Sequence, residues 1–185
     1  GTYANYVNRV LTLVARASDA GSNPLQGLPG LEGYPEFRAF IEGKISGSME
    51  SMERQRFKEA LRKVMDIAQE GNGFLQRAEP WKYLKSDLPS DREKALKPLS
   101  AAWHSLRVLA ILTHPFMPFQ SQRLWGMIGE PGESSEETWD EALKADNRPG
   151  VLPSVAPLFA RLDLQEILSR EIESDKIKSE AGPVE

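Results

Sequence analysis

Leu96, Leu99, Trp103, Leu106, Ala110 and Thr113 recur at strict three- and four-residue intervals until Pro115, and this spacing constrains the fold more than any other feature of the chain. It is the period of one face of an α-helix, and a proline cannot continue such a helix. Ser90 with Glu93 forms a capping-box pattern just ahead of the stripe, so the spacing predicts a helix from about Ser90 to the residues before Pro115. No segment alternates strictly over more than a few residues, and no internal repeat is present. An all-α bundle follows.

The remaining segments agree with that class. Tyr3, Val7, Val10, Leu11 and Val14 lie at helical spacing ahead of Gly21, while Asn5, Arg9, Thr12 and Arg16 form a second, wholly polar stripe, so one face is expected to be buried and the other free. Glycine and proline between Gly21 and Gly33 predict a loop. From Pro35, which suits a first helical turn, Phe37, Phe40, Ile41, Ile45, Met49 and Met52 predict a helix that Gly43 and Gly47 weaken. A third helix, about Arg54 to Leu75, is expected to turn Phe57, Leu61, Val64 and Ala68 inward, with Gly71 and Gly73 loosening its end. Pro118 can start a short helix carrying Leu124, Trp125 and Ile128 and ending at Gly129, and residues 130–157 read as irregular. Asp163 with Glu166 repeats the capping pattern, so residues 163–178 are expected to form a last amphipathic helix behind a 1–162 bundle, and 179–185 a disordered tail.

At 185 residues, 40% of them hydrophobic, the chain can bury a core of its own. Its longest apolar run, Val108 to Leu112, is far too short to span a bilayer, and no leader pattern opens it; a soluble cytoplasmic protein without membrane partners is expected. The absence of cysteine and the presence of two histidines leave little for a metal centre. The start at Gly1, directly before a helical pattern, predicts a domain excised from a longer protein. A net charge of −4 argues against broad electrostatic coating of nucleic acid, so any such contact must be local.

Candidates for catalysis are few. His104 and His114 fall on different faces of a helix and read as surface or satisfied histidines, and Gly71-Asn72-Gly73 lacks the strand that a phosphate loop needs. The acidic clusters read as solvated surface. Arg54, Lys58 and Arg62 recur every four residues, a spacing that can meet phosphates but that more often marks a solvated face. The remaining constellation is Asn5 and Arg9, one helical turn apart, with Trp81. Asparagine and arginine side chains hydrogen-bond the edges of unpaired bases, and tryptophan offers a stacking plane, although a tryptophan after a proline at a helix junction is also a common core plug.

These residues, taken together, resemble the C-terminal anticodon-binding domain of methionyl-tRNA synthetase, a class I aminoacyl-tRNA synthetase, over nearly the whole chain. The family's Asn-x-Val-Asn-Arg pattern is matched by Asn5, Val7, Asn8 and Arg9, and its middle helix is similar to Arg56 through Arg62. Its Ala-Pro-Trp-Lys motif is similar to Glu79-Pro80-Trp81-Lys82, with glutamate in place of alanine. Leu109 through Pro118 resembles the family's Ile-Leu-x-Pro-Phe-Met-Pro segment, Trp125 and Trp139 match later tryptophans, and Leu158 through Asp163 departs from Leu-Phe-Pro-Arg-Ile-Asp at Ala160 and Leu162.

The resemblance implies the anticodon-binding helix bundle of class I synthetases and recognition of the CAU anticodon of methionine tRNA. Asn5 and Arg9 would read the first anticodon base and Trp81 would stack on an extruded base, with Asn8, Thr12 and Arg16 as supporting RNA contacts. It also implies that ATP-dependent ligation belongs to a nucleotide-binding catalytic domain of the same polypeptide, placed N-terminal to this one. Neither His-Ile-Gly-His nor Lys-Met-Ser-Lys-Ser occurs here, so the chain alone is expected to be noncatalytic and to hold no cofactor. The alternatives are the anticodon domain of another class I synthetase and a helical protein-interaction scaffold.

Overall fold

A computed structural model describes residues 1–18, 22–146, 148–152 and 158–159. They form five α-helices: α1 (Thr2–Ala17), α2 (Pro35–Glu53), α3 (Phe57–Ala78), α4 (Pro89–Thr113) and α5 (Pro118–Met127). Among the described residues the only strand-like pairing is a single bridge between Ser22 and Val151. The amphipathic helix and tail expected beyond Asp163 lie outside the described residues.

Helix α4 is the axis of the bundle. Every residue from Pro98 to Thr113 is buried, because α1, α3, α5 and the loop before α2 all pack around it. Buried polar groups generally find partners, and the serines and threonine of α4 do, whereas the Trp103 indole Nε1 has no hydrogen-bond partner among the described residues. Ser100 donates to Lys97 O at 2.8 Å, Ser105 to Ala102 O at 2.7 Å and Thr113 to Leu109 O at 2.7 Å. Arg107 donates to the carbonyls of Glu141 and Ala142 at 3.0 and 2.9 Å and pairs with Glu137 at 2.9 Å, which fixes the irregular 130–142 segment to the bundle.

Helix α1 buries Tyr3, Tyr6, Val7, Val10, Leu11, Leu13 and Val14; each such aliphatic side chain contributes about 1.5–3 kcal/mol. The Tyr6 hydroxyl reaches Ser105 at 2.7 Å, and burial pushes its ionisation far above the ordinary range. Its ring lies against Gly71 of α3: a Cβ there would come within 2.6 Å of the Tyr6 hydroxyl. This contact corrects the expectation that Gly71 and Gly73 loosen α3. The helix runs through both to Ala78, and Gly71 is the residue that lets α1 approach.

Helix α2 forms from Pro35 as expected and runs through Gly43 and Gly47 to Glu53. Toward its end the fully buried residues are Ser48 and Ser51, small side chains that admit α3 closely, with Met49 half-buried against the core. Ser48 donates to Ala60 O at 3.2 Å, and the Lys63 ammonium donates to Gly47 O and to Ser51 Oγ at 2.9 and 2.8 Å. Further along, Phe37 stacks on Phe74 at 4.6 Å. Phe57, expected inside, is 55% exposed at the start of α3, and Leu61 is half-buried.

The capping box expected from Ser90 and Glu93 does not form. Pro89 occupies the first turn and Leu88 is the N-cap, with no side-chain cap bond; proline's fixed φ moves the cap two residues ahead of Ser90. Helix α4 nevertheless ends ahead of Pro115, and α5 ends before Gly129, whose φ is +76°.

A second buried polar knot closes the loops onto α4. The Arg148 guanidinium donates to Leu25 O and Leu28 O at 2.6 and 2.7 Å and grips both Asp146 oxygens at 3.0 Å. His104 accepts the Leu31 N–H through Nδ1 at 3.4 Å and donates through Nε2 to Lys144 O at 2.8 Å. These partners fix the neutral tautomer, and burial lowers the imidazole pKa below its ordinary value.

Candidate nucleic-acid interface

The polar stripe of α1 faces outward beside the C-terminal end of α3. Asn5 and Arg16 are exposed, and Asn8, Arg9 and Thr12 are half-buried. The two helices run in the same direction, since Asn72 donates to Thr2 O at 3.4 Å and Arg9 meets Gln76 two turns later on α1 and one turn later on α3. The residues following α3 are thereby delivered to the polar face of α1.

Those residues are shaped by Glu79, which takes the left-handed conformation at φ +45° and closes α3 through its N–H on Leu75 O at 2.9 Å. A left-handed non-glycine residue costs about 1–2 kcal/mol, and here it turns the chain abruptly into the short 3-10 turn Pro80–Lys82. Glu79 also pairs with Lys82 at 2.6 Å, bracketing Trp81 between two linked side chains. Pro80 is buried, and Trp81 is half-buried with its inner edge against the core.

The Arg9 guanidinium carbon lies 4.6 Å from the centre of the Trp81 ring, and its Nη2 donates to Gln76 Oε1 at 3.2 Å. An arginine over a tryptophan face is held by cation–π attraction of about 0.5–2 kcal/mol. Residues 9 and 81 are thus joined directly, with Asn5 one turn before Arg9 on the same exposed side. Remaining donors of the guanidinium fork and the Asn5 amide form a hydrogen-bonding edge beside an aromatic plane, an arrangement suited to a planar, unpaired base.

Other expected members of the site differ in surroundings. Asn8 Oδ1 accepts the Leu158 N–H at 3.4 Å, so this side chain holds the returning chain against α1. Thr12 and Arg16 continue the polar face one and two turns beyond Arg9, away from Trp81. Gln76 belongs to the site although its sequence carries no signal: a lone glutamine on a helix surface has neither periodicity nor motif. Its only clue is its place one helical turn before the Pro-Trp junction. His104 and His114 are both partnered, the latter through Nδ1 to Ser134 Oγ at 3.0 Å. Among the described residues no group of three or more histidine or carboxylate side chains is placed to hold a metal ion, and no helix is long and apolar enough to cross a membrane.

Comparison with known proteins bears on the same bundle. Residues 34–168 match a family model described as the anticodon binding domain of methionyl tRNA ligase. The methionine–tRNA ligase of Aeropyrum pernix is 37% identical over 163 residues, covering 85% of this chain and 27% of that protein. That of Thermofilum pendens is 32% identical, covering 88% and 27%. The chain therefore spans about a quarter of the length of these curated relatives. Mycobacterium tuberculosis methionyl-tRNA synthetase in its apo form superposes with a TM-score of 0.74 over 88% of this chain and 32% of that one, and its complex with methionyl-adenylate with 0.71 over 87% and 31%. At 20% identity both show a shared fold. The chain belongs to the family of methionyl-tRNA ligase anticodon-binding domains.

Proposed function

We propose that this domain binds the CAU anticodon of methionine tRNA, with Asn5 and Arg9 reading the edge of the first anticodon base and Trp81 supplying the stacking plane. The observation that supports it best is the Arg9 guanidinium set 4.6 Å over the Trp81 ring and tied to Gln76. Anticodon bases are unpaired and can be splayed from the loop, exposing their Watson–Crick edges. Stacking one of them on an aromatic ring is worth roughly 1–3 kcal/mol. Trp81 is seated on the core and Arg9 is tethered at two points, so little side-chain freedom remains to be lost on binding. Because recognition is local, it is compatible with a net charge of −4.

In this reading the domain is noncatalytic by itself and acts within a methionine–tRNA ligase, whose ATP-dependent chemistry belongs to another part of the polypeptide. Linkage to that part would raise the effective concentration of the anticodon at this surface. The relevant experiment is a titration of the isotope-labelled domain with a CAU stem-loop and with a stem-loop altered at one anticodon base, following the indole signal of Trp81 and the amides around Asn5 and Arg9. Shifts confined to CAU support the reading. Equal shifts with both RNAs, or none, overturn it, and so does pyrophosphate exchange by the isolated chain for the noncatalytic assignment.

A further inference from the structure

The ten residues 54–63 carry Arg54, Arg56, Lys58, Arg62 and Lys63 against the single acid Glu59, in a chain whose acids outnumber its bases 27 to 23. The structure separates these cations by use. Arg54 pairs with Glu50 at 2.8 Å, Arg56 lies 3.7 Å from Glu59, and Lys63 is taken up by Glu59 at 2.9 Å and by Gly47 and Ser51 of α2. Lys58 and Arg62 are exposed and enter no ion pair among the described residues. They are one helical turn apart on α3, so they present two charges side by side. Phe57 stands beside them 55% exposed, and together with Gln55, Arg56 and Glu59 the three line an open concavity of about 620 Å³.

We infer that this patch is a second RNA contact, taking phosphates of the same tRNA whose anticodon meets Trp81, with the Phe57 ring as a face for a ribose or an unpaired base. The inference rests on the anticodon reading above. Phosphate recognition needs accessible cations that are not already neutralised, and aromatic faces interleaved with them are the usual companion in nucleic-acid grooves. Both are present here, concentrated against an acidic background. Position supports the same partner: Phe57 and Gln76 are nineteen residues apart on α3, about 28 Å along its axis at 1.5 Å per residue. The two contacts thus lie on one rigid helix, at a separation that a folded tRNA can bridge. An acidic protein segment would meet the charges but not this second, distant contact.

The test uses tRNA transcripts carrying CAU or one altered anticodon base, bound to the whole chain across a salt series. Variants are Lys58→Gln with Arg62→Gln, the charge-conserving Lys58→Arg with Arg62→Lys, and Trp81→Ala. All substituted side chains of the two paired variants are exposed, and melting curves check that folding is kept. Neutralising the pair is expected to weaken both tRNAs severalfold and equally, and to reduce the slope of log affinity against log salt by about 2, one for each cation. The charge-conserving pair should restore that slope. Trp81→Ala should remove the preference for CAU and leave the slope alone. An unchanged slope in the neutral pair, with Trp81→Ala still abolishing the preference, overturns the second contact and leaves the anticodon reading standing. A lowered slope without any preference for CAU supports the patch and rejects that reading. A polyglutamate peptide that binds more tightly than tRNA, and loses that binding in the neutral pair, assigns the surface to an acidic protein segment and overturns the RNA inference.

Discussion

The Arg9 guanidinium rests on the Trp81 ring, 4.6 Å from its centre, so the two residues proposed to recognise a base already satisfy each other. A base that stacks here must lie on the arginine plane, displace it, or use the free part of the indole. In each case Trp81 fixes the height of the site. Replacing Trp81 with alanine is expected to lower affinity for a CAU stem-loop by about 1–3 kcal/mol, roughly 5- to 150-fold. The stability cost should be about 2 kcal/mol, below that of a full core tryptophan, because only the inner edge is buried. Fluorescence anisotropy and thermal melts on one preparation separate the effects. A steep fall in melting temperature with unchanged RNA affinity would show Trp81 to be a core plug.

Gln76 fixes the second point of Arg9 through its Oε1 at 3.2 Å. Gln76→Leu removes the acceptor on an exposed helix position, where stability should change by no more than about 0.5 kcal/mol. The freed guanidinium then samples more rotamers, so discrimination between CAU and an altered base should fall more than overall affinity. Gln76→Glu places a charge against Arg9 and should weaken both RNAs together. Identical discrimination in wild type and Gln76→Leu would show that Arg9 needs no tether.

Two glycines of the helices should respond in opposite directions to alanine. At Gly43 an added Cβ meets nothing within 4 Å, so Gly43→Ala should stabilise by up to about 1 kcal/mol through helix propensity alone. At Gly71 the same methyl group would intrude on the buried Tyr6 ring, and overpacking costs about 1–3 kcal/mol. Gly71→Ala should therefore lower the denaturation midpoint while Gly43→Ala raises it. The pair Gly71→Ala with Tyr6→Leu should recover part of the loss if the ring is the obstacle.

The stripe from Leu96 to Thr113 was legible because a helix turns its side chains with a fixed period, and α1 was legible for the same reason. Burial around the whole of α4 was not, since it depends on how many neighbours surround a helix rather than on its own pattern. Phe57 and Ser51 show where periodicity misleads. Ser51 is buried on α2, where the Lys63 ammonium of α3 reaches its Oγ, whereas Phe57, the first residue of α3, is left 55% exposed. Ser90 and Glu93 had the letters of a cap, but Pro89 set the start of α4. At the candidate site, Asn5 and Arg9 could be placed on one face by spacing alone, whereas their meeting with Trp81 came from a family resemblance. Gln76 needed coordinates, because what identifies it is the carbonyl it offers to Arg9.

Acid should loosen the bundle through His104. The folded imidazole is neutral, with Nδ1 accepting from Leu31 and Nε2 donating to Lys144, and burial lowers its pKa, opposed by nearby Asp146 and reinforced by Arg148 and Arg107. An unfolded histidine titrates near 6.5. Because the folded pKa lies below that value, the unfolded chain binds the proton first as pH falls. The stability associated with the neutral ring is thus fully present above about pH 6.5 and is lost as pH drops through the folded pKa. Protonation also puts a hydrogen on Nδ1, removing the acceptor for the Leu31 N–H and straining the loop that Arg148 closes. Denaturant unfolding between pH 7.5 and 5 (roughly one unit above and more than one below the unfolded pKa) should show a declining free energy. In His104→Gln that decline should flatten while stability at pH 7.5 falls by about 1–3 kcal/mol, the cost of buried groups left unpaired. An equal decline in both proteins would assign the acid sensitivity to the carboxylates instead.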